Sequence, residues 1–329
     1  MIEKDEEKKT LEGIELLKDI NFANTFFSNP KIFNEIINFE FYYYDCESVY
    51  DRGWGSGWRC FQCLLKTIKN YIEKNLNLNP NIIEKENENL FEKKYKKLIK
   101  LQINFQNLFL TYGDRDYLQT IFIVKRQKNL EELLLEERNN SKFNFDENLL
   151  IEKSLLEKNV LPNYLKNKIF APFENQYGWA ELFVLDLLMF DLNLEGNLYL
   201  LNGYPEDAFT PKEIFLKTFS FSEFIEIAEK HFSKERPLPI IIDDLTICLC
   251  ILAIKKLEIE ENKEICFRLL IADPHVKKEQ KVNSGIYTVD VKKNGKFFRE
   301  NNEYCKMNGK RLRFDVMDFM IFIPGEISI

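Results

Sequence analysis

A glycine-rich segment that runs directly into a helical pattern constrains the fold of this chain more than any other feature. The segment spans residues 51–59 and reads Asp-Arg-Gly-Trp-Gly-Ser-Gly-Trp-Arg. After it, apolar residues recur three or four positions apart, as on one face of an amphipathic helix: Phe61, Leu64, Leu65, Ile68 and Ile72. Because glycine permits a tight backbone turn, we predict that a helix begins at Ser56.

Composition and charge exclude several classes of protein. The chain has 329 residues, 45% of them apolar, which is enough to build one large core. A formal net charge of −7 argues against binding nucleic acid by neutralising its phosphates. The first residues are acidic and show no secretory signal, and the longest apolar run, residues 245–254, is too short to span a membrane. We therefore expect a cytoplasmic protein with no transmembrane segment.

The seven cysteines predict no disulfide framework, since their number is odd and the chain is large. Two close pairs raise the alternative of zinc: Cys60 with Cys63, and Cys248 with Cys250. The first pair falls in the helical pattern and the second in an apolar strand pattern, and neither has the glycines or the polar turn typical of a zinc site. We expect reduced thiols in the protein core, with no metal and no cofactor.

The middle of the chain differs in composition from the rest. Between residues 75 and 168, Asn, Lys and Glu dominate. We interpret this region as insertions with some helix and one strand-like segment, Thr120 to Lys125, within a single domain that covers residues 1–329. A separate small domain is less favoured, because no self-sufficient core pattern is visible there.

The second half of the chain carries helical and then strand patterns. The nearly apolar run at 179–190 predicts a buried helix, and the capping-box pair Ser220 and Glu223 predicts the start of another. Asn294 with Gly295 is typical of a hairpin turn. Strand patterns lie at 238–242, 245–254, 265–272, 287–291 and 319–323. Helices followed by a mostly antiparallel sheet predict an α+β fold, with the helix at Ser56 packed on the sheet.

Asp273 and His275 lie at the end of an apolar strand pattern and are a second candidate for chemistry. Side chains two residues apart in an extended chain share a face, and Pro274 favours extension at the residue before it. A carboxylate beside an imidazole orients the ring and favours its protonated form, as a thiolate–imidazolium pair requires. The three residues alone favour a simpler alternative, an Asp-Pro turn followed by an exposed histidine. The only other histidine, His231, is expected to be structural.

Taken together, these segments resemble the ubiquitin-fold-modifier-specific cysteine proteases. The resemblance lies in that family's Asp-x-Gly-Trp-Gly-Cys-x-x-Arg pattern, at residues 51–59 here, and in its Asp-Pro-His pattern, at 273–275. It implies a papain-like cysteine protease fold whose catalytic residues are those at positions 56, 273 and 275. The family's oxyanion hole includes a tyrosine twelve residues before the nucleophile, and Tyr44 stands at that spacing.

The same resemblance implies where a substrate would bind. Residues 176–181 look like a degraded form of the family's Trp-Ile-Gly-x-x-Glu. We expect the groove for the modifier's tail to be flanked by Trp54, Trp58, Tyr177 and Gly178.

The chain departs from the family at the nucleophile, because Ser56 stands where the family has cysteine. A helix N-terminus or a nearby imidazolium promotes ionisation of a thiol, whereas a hydroxyl needs an aligned general base to take its proton. Three interpretations remain open: a natural pseudoprotease, an enzyme carrying an inactivating cysteine-to-serine change, and a working serine nucleophile. Asp243 and Asp244 also occupy a stretch that is usually small and glycine-rich in the family.

The resemblance thus implies a protease-like protein that processes or deconjugates a modifier after its C-terminal glycine, with activity impaired by Ser56. Whether it is an enzyme stays open. The alternatives are a non-catalytic pseudoprotease that binds a ubiquitin-like modifier as a scaffold, and an autophagin-like relative, which the position of Tyr44 disfavours. Expected partners are the modifier or its conjugates and no nucleic acid, and an adaptor could bring this cytoplasmic protein to the endoplasmic reticulum surface.

Overall fold

Most helices of the protein precede most of its strands. The computed structural model describes residues 39–78, 94–112, 115–139, 180–205, 212–259, 264–275, 285–300, 312, 314–315 and 317–327. The helices are α1 (Ser56–Leu78), α2 (94–100), α3 (Phe105–Tyr112), α4 (Arg115–Asn139), α5 (Leu182–Asp191) and α6 (Phe221–Phe232). Short 3-10 helices lie at Cys46–Ser48 and Lys212–Ile214. In these described ranges, no helix is both long and apolar enough to cross a membrane.

Two of the helix starts predicted from sequence are confirmed. Helix α1 begins at Ser56, and its five patterned apolar residues are all buried in the core. Helix α6 begins after Ser220, whose hydroxyl accepts a hydrogen bond from the Glu223 backbone while the Glu223 carboxylate accepts one from the Ser220 backbone. These two bonds form the predicted capping box.

Within the described residues, the strands form one eight-stranded sheet with the order β2-β1-β8-β3-β4-β5-β6-β7. They span β1 (Gly196–Leu201), β2 (Thr218–Phe219), β3 (Ile240–Asp243), β4 (Cys248–Ile259), β5 (Glu264–Ala272), β6 (Ile286–Lys292), β7 (Phe297–Glu300) and β8 (Phe319–Pro324). The β1–β2 pair is parallel and every other pair is antiparallel. The predicted α+β fold with a mostly antiparallel sheet is confirmed, and each of the five strand patterns overlaps a strand, although the patterns at 238–242 and 245–254 begin two and three residues before β3 and β4.

The strand-like segment at Thr120 to Lys125 was wrongly predicted, because it lies inside helix α4. Its run of β-branched and aromatic residues has a preference for strands. In the structure, however, Leu118, Ile121 and Phe122 are buried, with the spacing of one helix face. Phe122 packs edge-on against Phe183 of α5 at 5.9 Å between ring centroids, so tertiary packing outweighs the local preference.

Helix α1 lies against the middle of the sheet and contacts β4, α3 and α5. The apolar side chains of α1, the sheet and the described helices belong to one hydrophobic cluster. This packing fixes the amino end of α1 relative to the strands, and therefore fixes the surroundings of Ser56.

Candidate functional site

Two glycines explain how the chain reaches Ser56, the first residue of α1. A Cβ atom at Gly55 would overlap the Asp51 side chain, and one at Gly57 would overlap the carbonyl oxygen of Ala180. Close approach therefore requires glycine at both positions. Ser56 is buried, and it lies where the first backbone N–H groups of a helix carry partial positive charge.

A buried ion pair holds the glycine-rich turn against α1. Arg59 Nε donates to Asp51 Oδ2 at 2.7 Å, and both side chains are fully buried. Asp51 Oδ1 accepts from the Asp45 backbone N–H at 2.9 Å, and the Asp51 carbonyl accepts from the Gly55 N–H at 2.9 Å. Asp51 thus bonds to Asp45 before the turn and to Gly55 and Arg59 at its far end. These bonds fix the backbone that leads to Ser56.

The Arg59 guanidinium also binds the segment that follows Tyr44. It donates to the Cys46 carbonyl at 2.9 Å and to Glu47 Oε2 at 3.2 Å, and it lies 4.2 Å from the centre of the Phe105 ring. Burial alone would lower the pKa of Arg59, but its acidic neighbours raise it. Asp51 and Arg59, the first and last residues of the pattern at 51–59, therefore form one structural unit.

Tyr44 connects Ser56 with the Asp273–His275 segment. Its backbone N–H donates to the Pro274 carbonyl at 2.9 Å, and its ring lies edge-on to the His275 ring at 5.1 Å between centroids. Burial raises the pKa of the Tyr44 phenol, while hydrogen bonds with the Ser56 side chain and the Gly53 backbone act in the opposite direction. The Tyr44 hydroxyl is therefore protonated at neutral pH, and it lies between residues that are far apart in sequence.

Asp273 holds His275 through both its backbone and its ring. Asp273 Oδ1 accepts from the His275 backbone N–H at 2.9 Å and lies 2.7 Å from His275 Nδ1. Asp273 Oδ2 accepts from the Tyr287 hydroxyl at 3.3 Å. A carboxylate only accepts hydrogen bonds, so the ring nitrogen that faces Asp273 must carry the proton when His275 is neutral. That nitrogen is Nδ1, which leaves Nε2 as the acceptor nitrogen.

The local backbone at His275 differs from the one assumed in the sequence analysis. Strand β5 ends at Ala272, and Pro274 with His275 forms a turn instead of a continued extended chain. The carboxylate of Asp273 caps this turn by accepting the His275 backbone N–H. The Asp-Pro turn and the Asp–His pair, which the sequence analysis treated as alternatives, are therefore both present.

Of the four residues expected to flank a substrate groove, two lie within the described ranges. Trp54 is half-buried and packs edge-on against Phe109 at 5.5 Å between ring centroids. Trp58 is buried and also packs against Phe109, at 5.9 Å. Tyr177 and Gly178 lie outside the described residues.

Two buried carboxyl groups near the amino end of α1 received no role in the sequence analysis. Glu181 follows Ala180, whose carbonyl contacts Gly57, and Asp243 ends strand β3. Burial, together with the charge of Glu181, raises the pKa of Asp243 well above its ordinary value. Asp243 Oδ2 is buried and has no hydrogen-bond partner in the part of the chain that the structure describes. The available sequence signal was an aspartate in a stretch where the resemblance predicted small residues.

The four cysteines considered for zinc meet between α1 and β4. Hydrogen bonds join the Cys60 thiol to Cys248 and Cys250, and the Cys63 thiol to Cys250. Burial raises the pKa of the Cys60 and Cys63 thiols, which disfavours the thiolates that a metal would need. In the described part of the chain, no group of three or more His, Cys, Asp or Glu residues could hold a metal ion.

Comparison with known proteins gives a distant structural likeness. No family model and no curated protein sequence matches the chain. The crystal structure of UfSP from C. elegans is similar to it with a TM-score of 0.37 and 10% sequence identity, over 88% of this chain and 33% of that chain. The chain therefore spans about a third of the length of that UfSP chain.

Proposed function

We propose that this protein binds the C-terminal tail of a ubiquitin-fold modifier in a protease-like site, and that Ser56 impairs hydrolysis there. The observation that carries the proposal is the meeting of Ser56, Tyr44 and the Asp273–His275 pair at the amino end of a buried helix. The patterns at residues 51–59 and 273–275 support the same conclusion, because they are the segments that carry the resemblance to the modifier-specific proteases.

In this proposal each group has a distinct task. Nε2 of His275 takes the proton of the nucleophile and later returns it to the leaving amine, while Asp273 holds the ring. The Tyr44 hydroxyl and the first N–H groups of α1 donate to the carbonyl oxygen of the modifier's last glycine as negative charge develops on it. Trp54 and Trp58 support the wall along which the tail lies.

Ser56 limits the chemistry that this arrangement can perform. A helix N-terminus contributes about 0.3–1 kcal/mol to a nearby negative charge, which is too little to ionise a hydroxyl at neutral pH. The Ser56 side chain is hydrogen-bonded to Tyr44, whose pKa is raised, and a protonated phenol is no base for a serine. This contact favours the second candidate function, a pseudoprotease that binds the modifier without cleaving it.

The test compares the parent protein with Ser56→Cys and Ser56→Ala variants. Each is mixed with a panel of ubiquitin-like modifiers that carry a fluorophore on the C-terminal glycine, and both binding and fluorophore release are measured. We expect all three proteins to bind the same modifier, and only Ser56→Cys to release the fluorophore rapidly. In that background His275→Ala should lower turnover about 10²- to 10⁴-fold, the usual contribution of a general acid–base group.

The possible results separate the two candidates. Binding without turnover by any variant would support the pseudoprotease that binds the modifier without cleaving it, and would exclude a protease that is impaired only by Ser56. Rapid release by the parent itself would establish Ser56 as a working nucleophile. If none of the modifiers binds, the proposed function is wrong.

A further inference from the structure

Tyr287 contacts the Asp273 carboxylate of the Asp273–His275 pair and has no role in the function proposed above. It lies on β6 and its side chain is completely buried (0% exposed). Its hydroxyl donates to Asp273 Oδ2 at 3.3 Å. The carboxylate thus has one oxygen bound by Tyr287 and the other by His275.

Sheet register explains this contact. Strands β5 and β6 are antiparallel, with Ile271 opposite Tyr287, and the Asp273 N–H continues the ladder by donating to the Gly285 carbonyl at 2.7 Å. Alternate residues of a strand share a face, so Tyr287 and Asp273 are diagonal neighbours on one face of the sheet. A tyrosine is long enough to bridge that diagonal.

The bonding pattern leaves little freedom for the carboxylate. Asp273 is 1% exposed, so water cannot readily replace a lost partner. Oδ1 accepts two bonds from His275, at 2.7 and 2.9 Å, and Oδ2 accepts the bond from Tyr287. Without the phenol, Oδ2 would lose the one donor that the described residues supply to it, and the carboxyl plane could turn about its last torsion.

We propose that Tyr287 is a positioning residue that fixes the plane of Asp273 and, through it, the tautomer and orientation of the His275 ring. The inference rests on the proposed function for its biological purpose, since a fixed Nδ1–H tautomer leaves Nε2 free of a proton and able to act as the base. The predicted effect on the tautomer and orientation of the His275 ring does not depend on whether Ser56 cleaves a substrate.

The test observes His275 directly, by nuclear magnetic resonance of the ring nitrogens in protein with ¹⁵N-labelled histidine. The chain has two histidines. The second, His231 in α6, is an internal reference, because its Nε2 bonds to the Leu238 carbonyl at 2.8 Å and not to Asp273. In the parent protein, at a pH where the His275 ring is neutral, we expect its proton on Nδ1. Tyr287→Phe should shift the tautomer ratio toward Nε2–H about fivefold, the effect of one ordinary hydrogen bond, with His231 unchanged.

A matched control removes a similar hydroxyl elsewhere. Tyr71 is buried and its hydroxyl donates to the Pro237 carbonyl at 3.3 Å, the same length as the bond from Tyr287. Tyr71→Phe should lower thermal stability to a similar degree and leave the His275 nitrogens as in the parent. Because both changes delete one oxygen atom, a loss of folding common to both would be seen in the melting curves.

Two results would overturn the inference: an unchanged His275 tautomer in Tyr287→Phe, or the same shift in Tyr71→Phe. In the Ser56→Cys background, Tyr287→Phe should also lower kcat several-fold with little change in KM, because the defect lies in the base and not in binding. If Ser56→Cys proves inactive, the proposed function fails, while the nitrogen spectra still decide the role of Tyr287.

Discussion

The surroundings of Asp243 oppose its negative charge. It is 1% exposed, faces the charge of Glu181, and has one carboxyl oxygen without a hydrogen-bond partner among the described residues. Its other oxygen accepts from the Leu245 backbone N–H at 2.7 Å. The raised pKa of Asp243 means that the folded protein favours the neutral carboxyl more than the unfolded chain does.

This raised pKa predicts a specific dependence of stability on pH. The unfolded carboxyl titrates near its ordinary pKa of 3.8, so stability from this group is complete below that pH and is lost as the pH rises toward the higher native pKa. Asp243→Asn keeps the bond to Leu245 and cannot ionise. We expect it to be about 1–3 kcal/mol more stable than the parent at neutral pH.

Urea unfolding at a series of pH values measures this effect. The difference between Asp243→Asn and the parent should be large at neutral pH and should shrink as the pH approaches 3.8. A constant difference across the range would show that Asp243 is ionised throughout, contrary to the argument from its burial.

For two site residues, the sequence predicted the residue but not the backbone geometry that gives it its contacts. The pairing of Asp273 with His275 was predicted, but from an extended backbone, whereas the observed pair depends on a turn at Pro274. Tyr287 was predicted only as a strand residue, because its role depends on register between β5 and β6. Cross-strand register cannot be read from one strand at a time.

At the scale of elements, the contact between α1 and the entry to α5 determines where Ser56 lies. The Ala180 carbonyl fills the space that a side chain at Gly57 would need. Helix α5 begins two residues later, at Leu182. Backbone meets backbone here, so the contact cannot relax by rotating a side chain.

Gly57→Ala should therefore destabilise the protein although alanine is the better helix former. We expect a loss of about 1–3 kcal/mol in the free energy of unfolding, as for overpacked sites, measured by urea denaturation. Lys74→Ala is the matched control, because it changes an exposed residue of the same helix and should alter stability by less than about 0.5 kcal/mol. A more stable Gly57→Ala would show that the two segments are farther apart than described.

Elements with strong local signals were predictable and those with conflicting signals were not. The capping box placed the start of α6, and alternating or continuous apolar runs placed five strands. Residues 120–125 had strand-forming side chains, yet they became helix because Ile121 and Phe122 are buried on one helix face and Phe122 packs against Phe183 of α5. Local preference is a weak guide where long-range burial favours the other structure.

At the scale of the whole molecule, one hydrophobic cluster includes α1, the sheet and the described helices between residues 94 and 139. Those helices therefore share the core of the rest of the described chain. Cys60, Cys63, Cys248 and Cys250 belong to this cluster. Cys266 is also buried, and Cys46 is partly buried. Burial raises the pKa of Cys46 to about 12 and that of Cys248 to about 12.

Enclosed thiols should resist alkylation in the native protein, because the reagent cannot reach a buried sulfur. We expect iodoacetamide at neutral pH to leave these six cysteines unmodified in buffer and to modify all of them in concentrated urea, which exposes them. Peptide mass spectrometry measures each site, and Cys305, outside the described residues, is scored separately. Rapid native labelling of Cys60 or Cys250 would contradict the packing of α1 on β4.

The sequence by itself determined the fold class and the start of α1 at Ser56, because periodicity, glycines and capping residues act over short distances, and it supplied the candidate site residues. The tertiary structure decided which of those residues meet. Tyr44 joins Ser56 to His275 only because tertiary packing brings these distant segments to the same ring, and Tyr287 reaches Asp273 only through the register of two strands. Such contacts depend on the packing of distant segments, which no local pattern encodes.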